Sequence, residues 1–290
     1  MRFHNSRYIG FLLPLFLCGL LRGQSARCSQ DTVVGTYAIA TQGTMFMSPS
    51  AGSQPVAVPI ASLALVSIDS QGVMSGQAFS ALGGNVGPVP GAGSFQVNPD
   101  CTATVKTAVG TTSTDVILDE GKEIRGLMYQ APGAKAMVQG IGRRISRIPN
   151  TVDAAQCSPA DVHGIYAVTY QGTYMMLQRD APQPVPVPGS TIALVSIDYQ
   201  GQLSGHGTIS MAGDARESPT VGGNVDVKSD CSAVVQMSVR TGIMPDVGKS
   251  WMVVLEGGNE LWAIQTESSV AKPIVTGTWK RISPIPSTAQ

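Results

Sequence analysis

Few residues in this sequence carry charge, and fewer still can do acid–base chemistry. Charged side chains make up 13% of the 290 residues, about half the usual share of roughly 25%. The 19 basic and 19 acidic side chains cancel, and no run of Lys or Arg is long enough to form a polybasic patch. The chain therefore exerts no general pull on nucleic acid or an anionic bilayer. Only three His occur. His4 falls in the N-terminal leader, and two others cannot supply a typical zinc site without carboxylates. His163 and His206 read as surface residues. His206, between Gly205 and Gly207, could act as a base only if its strand lined a cavity. There is no Cys-x-x-Cys, no Gly-x-Ser-x-Gly elbow, no Walker A loop and no His-Glu-x-x-His. Gly91-Ala-Gly93 is a loop with no helix behind it to cradle a phosphate. No segment carries a helical stripe. These gaps remove the common hydrolase, nucleotide-binding and metalloenzyme readings. They leave no cofactor, no metal and no catalytic residue to name.

Apolar residues are plentiful at 43%, enough to build a core, so disorder is excluded. The first apolar run, Ile9–Leu21, comes after Arg2 and Arg7 and precedes Gly23, Gln24, Ser25 and Ala26. That is the layout of a secretory signal peptide over residues 1–26, and the run is shorter than the ~20 residues of a spanning helix. The competing readings are an uncleaved anchor and a lipoprotein lipidated at Cys18, the latter disfavoured by the bulky Leu17 before it. No other stretch is long enough to span a bilayer, so the mature chain is expected to be secreted or periplasmic, without a membrane span.

Beyond the leader the chain repeats itself. Gly35-Thr-Tyr37 reappears as Gly164-Ile-Tyr166, and Ala64-Leu-Val-Ser-Ile-Asp69 as Ala193-Leu-Val-Ser-Ile-Asp198. Asp100-Cys101 reappears as Asp230-Cys231, and Arg144-Ile-Ser146 as Arg281-Ile-Ser283. The separation drifts from 129 positions at Gly35/Gly164 to 137 at Arg144/Arg281. Matches in one order with a slow drift mean a duplication with a few insertions. The domains are expected at 27–150 and 151–290, divided within the polar stretch 149–156.

Each copy reads as β. Ala233, Val235, Met237 and Val239 share one face of a strand, and Ala103, Val105, Thr107 and Val109 repeat the phase. Leu63–Ile68 and Ile192–Ile197 are apolar on both faces apart from one Ser, so both are expected to be covered on both sides. Each runs into Asp-x-Gln-Gly, a turn in which Asp binds backbone amides and Gly takes the left-handed position. The Pro-rich pieces 48–59 and 182–188 are expected to be loops. Roughly eight short strands per copy suggest a barrel or a sandwich. Consecutive hairpins and the need to hide strand edges favour the barrel. The fold is thus all-β, with two tandem small antiparallel β-barrel domains.

Cys28 and Cys157 each precede the first strand of a copy, and Cys101 and Cys231 share one later site. Four Cys allow three pairings. Duplication favours Cys28–Cys101 and Cys157–Cys231, since each copy once folded alone. Among duplicated charges, Glu123 with Arg144 and Glu260 with Arg281 are candidate ion pairs, with separate solvated charges as the alternative. Tyr37, Met45, Met47, Tyr166, Tyr174, Met176 and Trp262 are candidate interior residues. In a filled barrel they are core, and in a hollow one they line a pocket for an apolar ligand.

The pattern Gly-x-Tyr, Asp-x-x-Gly, Ser-Gly and Asp-Cys-Ser/Thr occurs at Gly35/Tyr37, Asp69/Gly72, Ser75-Gly76 and Asp100-Cys101-Thr102. It recurs at Gly164/Tyr166, Asp198/Gly201, Ser204-Gly205 and Asp230-Cys231-Ser232. In this pattern the chain resembles exported bacterial β-repeats of uncharacterised function, and through them calycin (lipocalin) or allene oxide cyclase-like barrels. That resemblance implies barrels that bind or rearrange small apolar molecules, and it transfers no catalytic residue. The expected function is binding of a small hydrophobic ligand. A cyclase or isomerase acting on a small apolar substrate and a structural envelope protein without ligand are the alternatives.

Overall fold

The structure, a computed structural model, describes residues 28–50, 52–147, 157–177, 183–240 and 245–283. The leader and the stretch 149–156 lie outside the described residues. Among these residues there are seventeen strands and four short 3-10 turns, with no α-helix. The first repeat forms β1 (Gly35–Met47), β2 (Val56–Ile68), β3 (Val73–Leu82), β4 (Asn85–Pro90), β5 (Gly93–Val97), β6 (Thr102–Thr107), β7 (Thr112–Leu118), β8 (Glu123–Ala131) and β9 (Ala134–Ser146). The second forms β10 (Gly164–Met176), β11 (Val185–Ile197), β12 (Gln202–Met211), β13 (Asp214–Val227), β14 (Ser232–Arg240), β15 (Pro245–Leu255), β16 (Glu260–Ser268) and β17 (Lys272–Ser283).

Each set closes on itself. In the second barrel, β10 to β17 pair in chain order and β17 returns to β10. In the first barrel the ring is β1-β2-β3-β5-β6-β7-β8-β9, with β4 as an extra strand on β3. The fourth strand of this barrel is broken at Gly91-Ala92, whereas its counterpart β13 runs through. All neighbouring strands are antiparallel, as tight hairpins require.

The turns obey the chemistry of their residues. Asp69 Oδ1 accepts from the amides of Gln71 and Val73, at 2.9 and 2.8 Å. Asp198 does the same for Gln200 and Gln202. Gly72 and Gly201 take φ of 79° and 76°, which only Gly adopts without strain. The disulfides are Cys28–Cys101 and Cys157–Cys231, one per barrel, a feature of an oxidising, extracellular or periplasmic environment. Beside each, a Tyr closes the barrel end. The Tyr37 hydroxyl donates to Gly121 O and the Tyr166 hydroxyl to Gly258 O, both at 2.7 Å.

Several expectations are corrected. The Pro-rich pieces are partly strand, since β2 includes Pro59 and β11 includes Pro186 and Pro188. Pro59 and Pro188 lie one residue beyond the last pairs to β3 and β12, so the missing N–H falls at a ladder end. Their carbonyls still accept from Gly83 and Ala212. Glu123 does not pair with Arg144, nor Glu260 with Arg281. In register, Glu123 sits opposite Arg143, and a one-residue step moves Arg144 to the other face. Glu123 instead binds Arg125 at 2.6 Å, and Glu260 binds Arg143 at 2.6 Å. Arg144 and Arg281 donate to the backbone carbonyls of Thr32 and Asp161 at the barrel ends. His163 is buried, its ring stacked on Tyr199 with centroids 3.6 Å apart. His206 is exposed, as expected.

The barrels lie side by side. Outward-facing Leu63, Leu65 and Ala81 of the first meet outward-facing Trp251, Trp262 and Ile264 of the second in one buried cluster. Phe79 packs on Trp251 with centroids 5.2 Å apart. Arg143 bonds Glu260 and lies over the Trp262 ring. This contact explains why Leu63–Ile68 is buried on both faces. Its repeat, Ile192–Ile197, is covered on the inside only: Ile192 and Leu194 point outward and are exposed, Ile192 at the rim of the open groove between the barrels.

Candidate functional site

The two barrels share a frame but not an interior. On β10 and β17, Tyr170 and Trp279 point inward and are buried. Trp279 Nε1 donates to the Tyr170 hydroxyl at 3.2 Å, and that hydroxyl donates to Ser250 Oγ at 3.1 Å. Tyr174 donates to Gln265 Oε1 at 3.1 Å. The polar tips satisfy one another, and the rings fill the space. What remains is a void of about 60 Å³, room for one or two waters. Burial pushes the Tyr170 hydroxyl above the usual Tyr range, and hydrogen bonds to Ser250 and from Trp279 oppose it.

In the first barrel the matching positions shrink. Tyr170 corresponds to Thr41, and Trp279 to Gly142. The result is a cavity of about 240 Å³, walled mostly by apolar side chains such as Ile39, Met45, Ile60, Val66, Phe95 and Val105. Its wall is interrupted beside the broken fourth strand. There β4 pairs with β3 alone, and Val89, Pro90 and the exposed Val109 line the edge.

One ionisable side chain faces this space. Asp115 on β7 stands where the second barrel has Met252, and it is buried. Burial pushes its carboxyl up to about 6, while the Ser113 hydrogen bond pulls the other way. Ser113 Oγ donates to Asp115 Oδ1 at 2.7 Å. Ser113 is the counterpart of Ser250, and with no Tyr at position 41 its hydroxyl turns to the carboxylate instead. Across the ladder, Gly126 is paired with Asp115, and a Cβ there would lie 2.7 Å from Asp115 Oδ1. Glycine therefore makes room for the carboxylate where the second barrel keeps Ala263. The cavity hydroxyls otherwise bond one another, Thr41 with Ser62 at 2.6 Å and Thr107 with Thr111 at 2.7 Å. An apolar guest with one donor group would leave few polar atoms unpaired.

The sequence-derived candidates divide among several places. Met45 lines the first cavity, and Met47 packs beside it at the same end. Tyr37 and Tyr166 are buried at the barrel ends, where burial raises both hydroxyls and Arg144 and Arg281 oppose it. Tyr174 borders the small void of the second barrel, and Met176 packs against that core. Trp262 lies outside both interiors, in the contact between the barrels. Asp115, Ser113, Thr41 and Gly142 are not among the sequence candidates, because repetition marks only residues that the two copies share. The signal lies in the differences, an Asp aligned with a Met and a Gly aligned with a Trp. A separate open groove between the barrels has mixed walls, with Gln42, Gln139 and Gln171 beside Ile141, Ile192 and Trp262. Among the described residues, no group of three or more His, Cys, Asp or Glu side chains converges. No helix there is long and apolar enough to cross a membrane.

No family model matches the sequence, and no curated protein matches it. Solved structures do match in outline. A protein of unknown function of the DUF3598 family from Nostoc punctiforme PCC 73102 is 9% identical, covering 88% of this chain and 100% of its own, with a TM-score of 0.23. Kievitone hydratase from Nectria haematococca is 6% identical over 90% of this chain and 95% of its own, at 0.29. A point mutant of Transferrin Binding Protein B from Haemophilus parasuis Hp5 is 8% identical over 85% and 75%, at 0.30. At these scores the likenesses carry no argument about activity. The barrel assignment rests on the strand ladders of this chain.

Proposed function

We propose that the chain is an exported binding protein that holds one small apolar molecule in its first barrel, with Asp115 receiving a donor group of that molecule. The reading takes residues 1–26 as a cleaved leader and the barrels as domains 27–150 and 151–290. One observation carries it: a space of about 240 Å³ remains where the sister barrel places two large rings. By scaling from the ~150 Å³ that encloses benzene, such a space takes about ten non-hydrogen atoms. It lies just under the usual range for drug-sized ligands, so the guest is small. An ionised carboxylate in an apolar wall favours an amine or a hydroxyl over a plain hydrocarbon. The second barrel acts as a filled support. Of the residues singled out from sequence, Met45 is assigned to the pocket.

The isomerase reading keeps one point in its favour. A carboxyl of pKa about 6 is suited to proton transfer near neutral pH. Binding is preferred because the same cavity offers no second ionisable group, among the described residues, to complete an acid–base pair. The test uses naphthalene and 1-naphthylmethylamine as probes, monitored by fluorescence or calorimetry. The amine should bind more tightly than the hydrocarbon at pH 7.5, and Asp115→Asn should erase that preference. Failure of both probes to bind, or equal binding to the variant Thr41→Tyr, would remove the first-barrel pocket and leave the structural envelope role.

A further inference from the structure

The contact between the two barrels is heterologous: each barrel uses a different face. The first barrel contributes Leu63 and Leu65 of β2 and Ile145 of β9, and the second contributes Val253 and Leu255 of β15, Ile264 of β16 and Ile274 of β17. Because both barrels come from one repeat, each also carries the counterpart of the face the other uses. On the second barrel the counterparts of Leu63, Leu65 and Ile145 are Ile192, Leu194 and Ile282. On the first barrel the counterparts of Val253, Leu255, Ile264 and Ile274 are Val116, Leu118, Leu127 and Met137. All are large and apolar, and all are between 40% and 63% exposed. That agreement marks two surfaces built like the halves of an existing interface.

The polar contacts repeat the match. Within the chain, Arg143 of the first barrel bonds Glu260 of the second at 2.6 Å, and Gln77 Nε2 donates to Asp230 Oδ2 at 3.1 Å. The counterparts of Arg143 and Gln77 are Lys280 and His206, both exposed on the second barrel, with Lys280 at the rim of the groove between the barrels. The counterparts of Glu260 and Asp230 are Glu123 and Asp100, on the free side of the first barrel. Donor types at one face are thus matched by acceptor types at the other, with Glu123 also holding Arg125 of its own barrel at 2.6 Å. The local settings agree as well. Asp230 Oδ1 holds Ser232 while Oδ2 takes Gln77, and Asp100 Oδ1 likewise holds Thr102.

We propose that copies of this chain associate head to tail, the free face of one second barrel docking on the free face of the next first barrel by repeating the contact made within the chain. A heterologous contact of this kind leaves one free face at each end, so it extends into a filament or closes into a ring. The aromatic anchors are not repeated. Trp251, Trp262 and Phe79 become Thr114, Arg125 and Thr208, so the contact between chains is weaker than the one within them and is reversible.

Sedimentation of the full chain under non-reducing conditions tests this. The average mass should rise with concentration past two chains. Ile192→Lys and Leu127→Lys replace exposed side chains and each spoils one face, so each variant alone should remain a single chain. Mixed one to one, they should stop at two chains, because only one pair of intact faces remains. Lys280→Glu and Glu123→Lys give a second reading that leaves the apolar faces untouched: each alone should lower association, and mixing should restore it. A wild-type mass that stays at one chain up to roughly 1 mM overturns the proposal. So does a dimer that Leu127→Lys leaves intact, which would mean a two-fold contact.

Discussion

The ring of Tyr170 lies across Gly277 so closely that a Cβ on that glycine would come within 2.5 Å of the Tyr Cδ1. The first barrel keeps the glycine, Gly140, but places only Thr41 opposite it, with Cγ2 at 3.1 Å from the same imagined Cβ. The seat for a ring is present and vacated. Thr41→Tyr should therefore be accommodated, with stability within about 1 kcal/mol of wild type rather than the 1–3 kcal/mol usual for overpacking. Probe binding should fall at least about tenfold, equivalent to ~1.4 kcal/mol. Urea titration and fluorescence binding check the two halves separately.

The reverse exchange should open the second barrel. Trp279→Ala removes the largest fully buried side chain and should cost about 3–5 kcal/mol. If the interior stays open, the variant gains a second naphthalene site, read as a doubled stoichiometry by calorimetry.

Asp115 gives a pH dependence with a definite sign. Its carboxyl titrates at about 6 in the folded barrel and at the ordinary 3.8 when unfolded. Between those values the folded state binds more protons, so stability falls as pH rises from about 4 to 6 and is flat above that. The whole span amounts to about 3 kcal/mol. Asp115→Asn should flatten this limb, and denaturant titrations at pH 4.5 and 7.5 would show it. A wild-type profile that rises over the same interval would contradict the assignment.

Arg143 ties the barrels through Glu260, whose carboxylate also accepts from Trp262 Nε1 at 2.8 Å. Arg143→Met strands a buried carboxylate. Partial exposure of Arg143 moderates the loss to about 1–2 kcal/mol. Adding Glu260→Gln should recover part of it, and a double-mutant cycle gives the coupling directly.

Each disulfide closes a loop with a separation of 73 or 74 residues. Removing Cys28 and Cys101 together should cost about 4 kcal/mol in the chain-entropy account. The loss should fall on the first barrel, so thermal unfolding should split into two transitions.

Much of this architecture is legible in the order of residues. The Asp-x-Gln-Gly turns, the two-residue alternation and the paired Cys sites are local or duplicated signals, and they specify the all-β class, the hairpins and the disulfide pairing. The candidate site is legible only in part. Met45 is marked by its residue type. Asp115 and Gly142 are not, because an isolated Asp in a strand and a Gly among 33 look ordinary until one knows which face is inside. The pairing expected for Glu123 and Arg144 fails for the same reason, since a one-residue step decides the face.

The sequence alone determined that two like sheets would form, each pinned by its own disulfide, because alternation, turn chemistry and repetition act over short distances. Closure into rings, the emptiness of one ring and the packing of one against the other were decided in three dimensions. Whether a strand face meets an interior, a neighbour or water depends on side chains far apart in the chain. Leu63 and Ile192 stand at the same position of the same repeat, and only the arrangement of the barrels buries one and leaves the other in solvent.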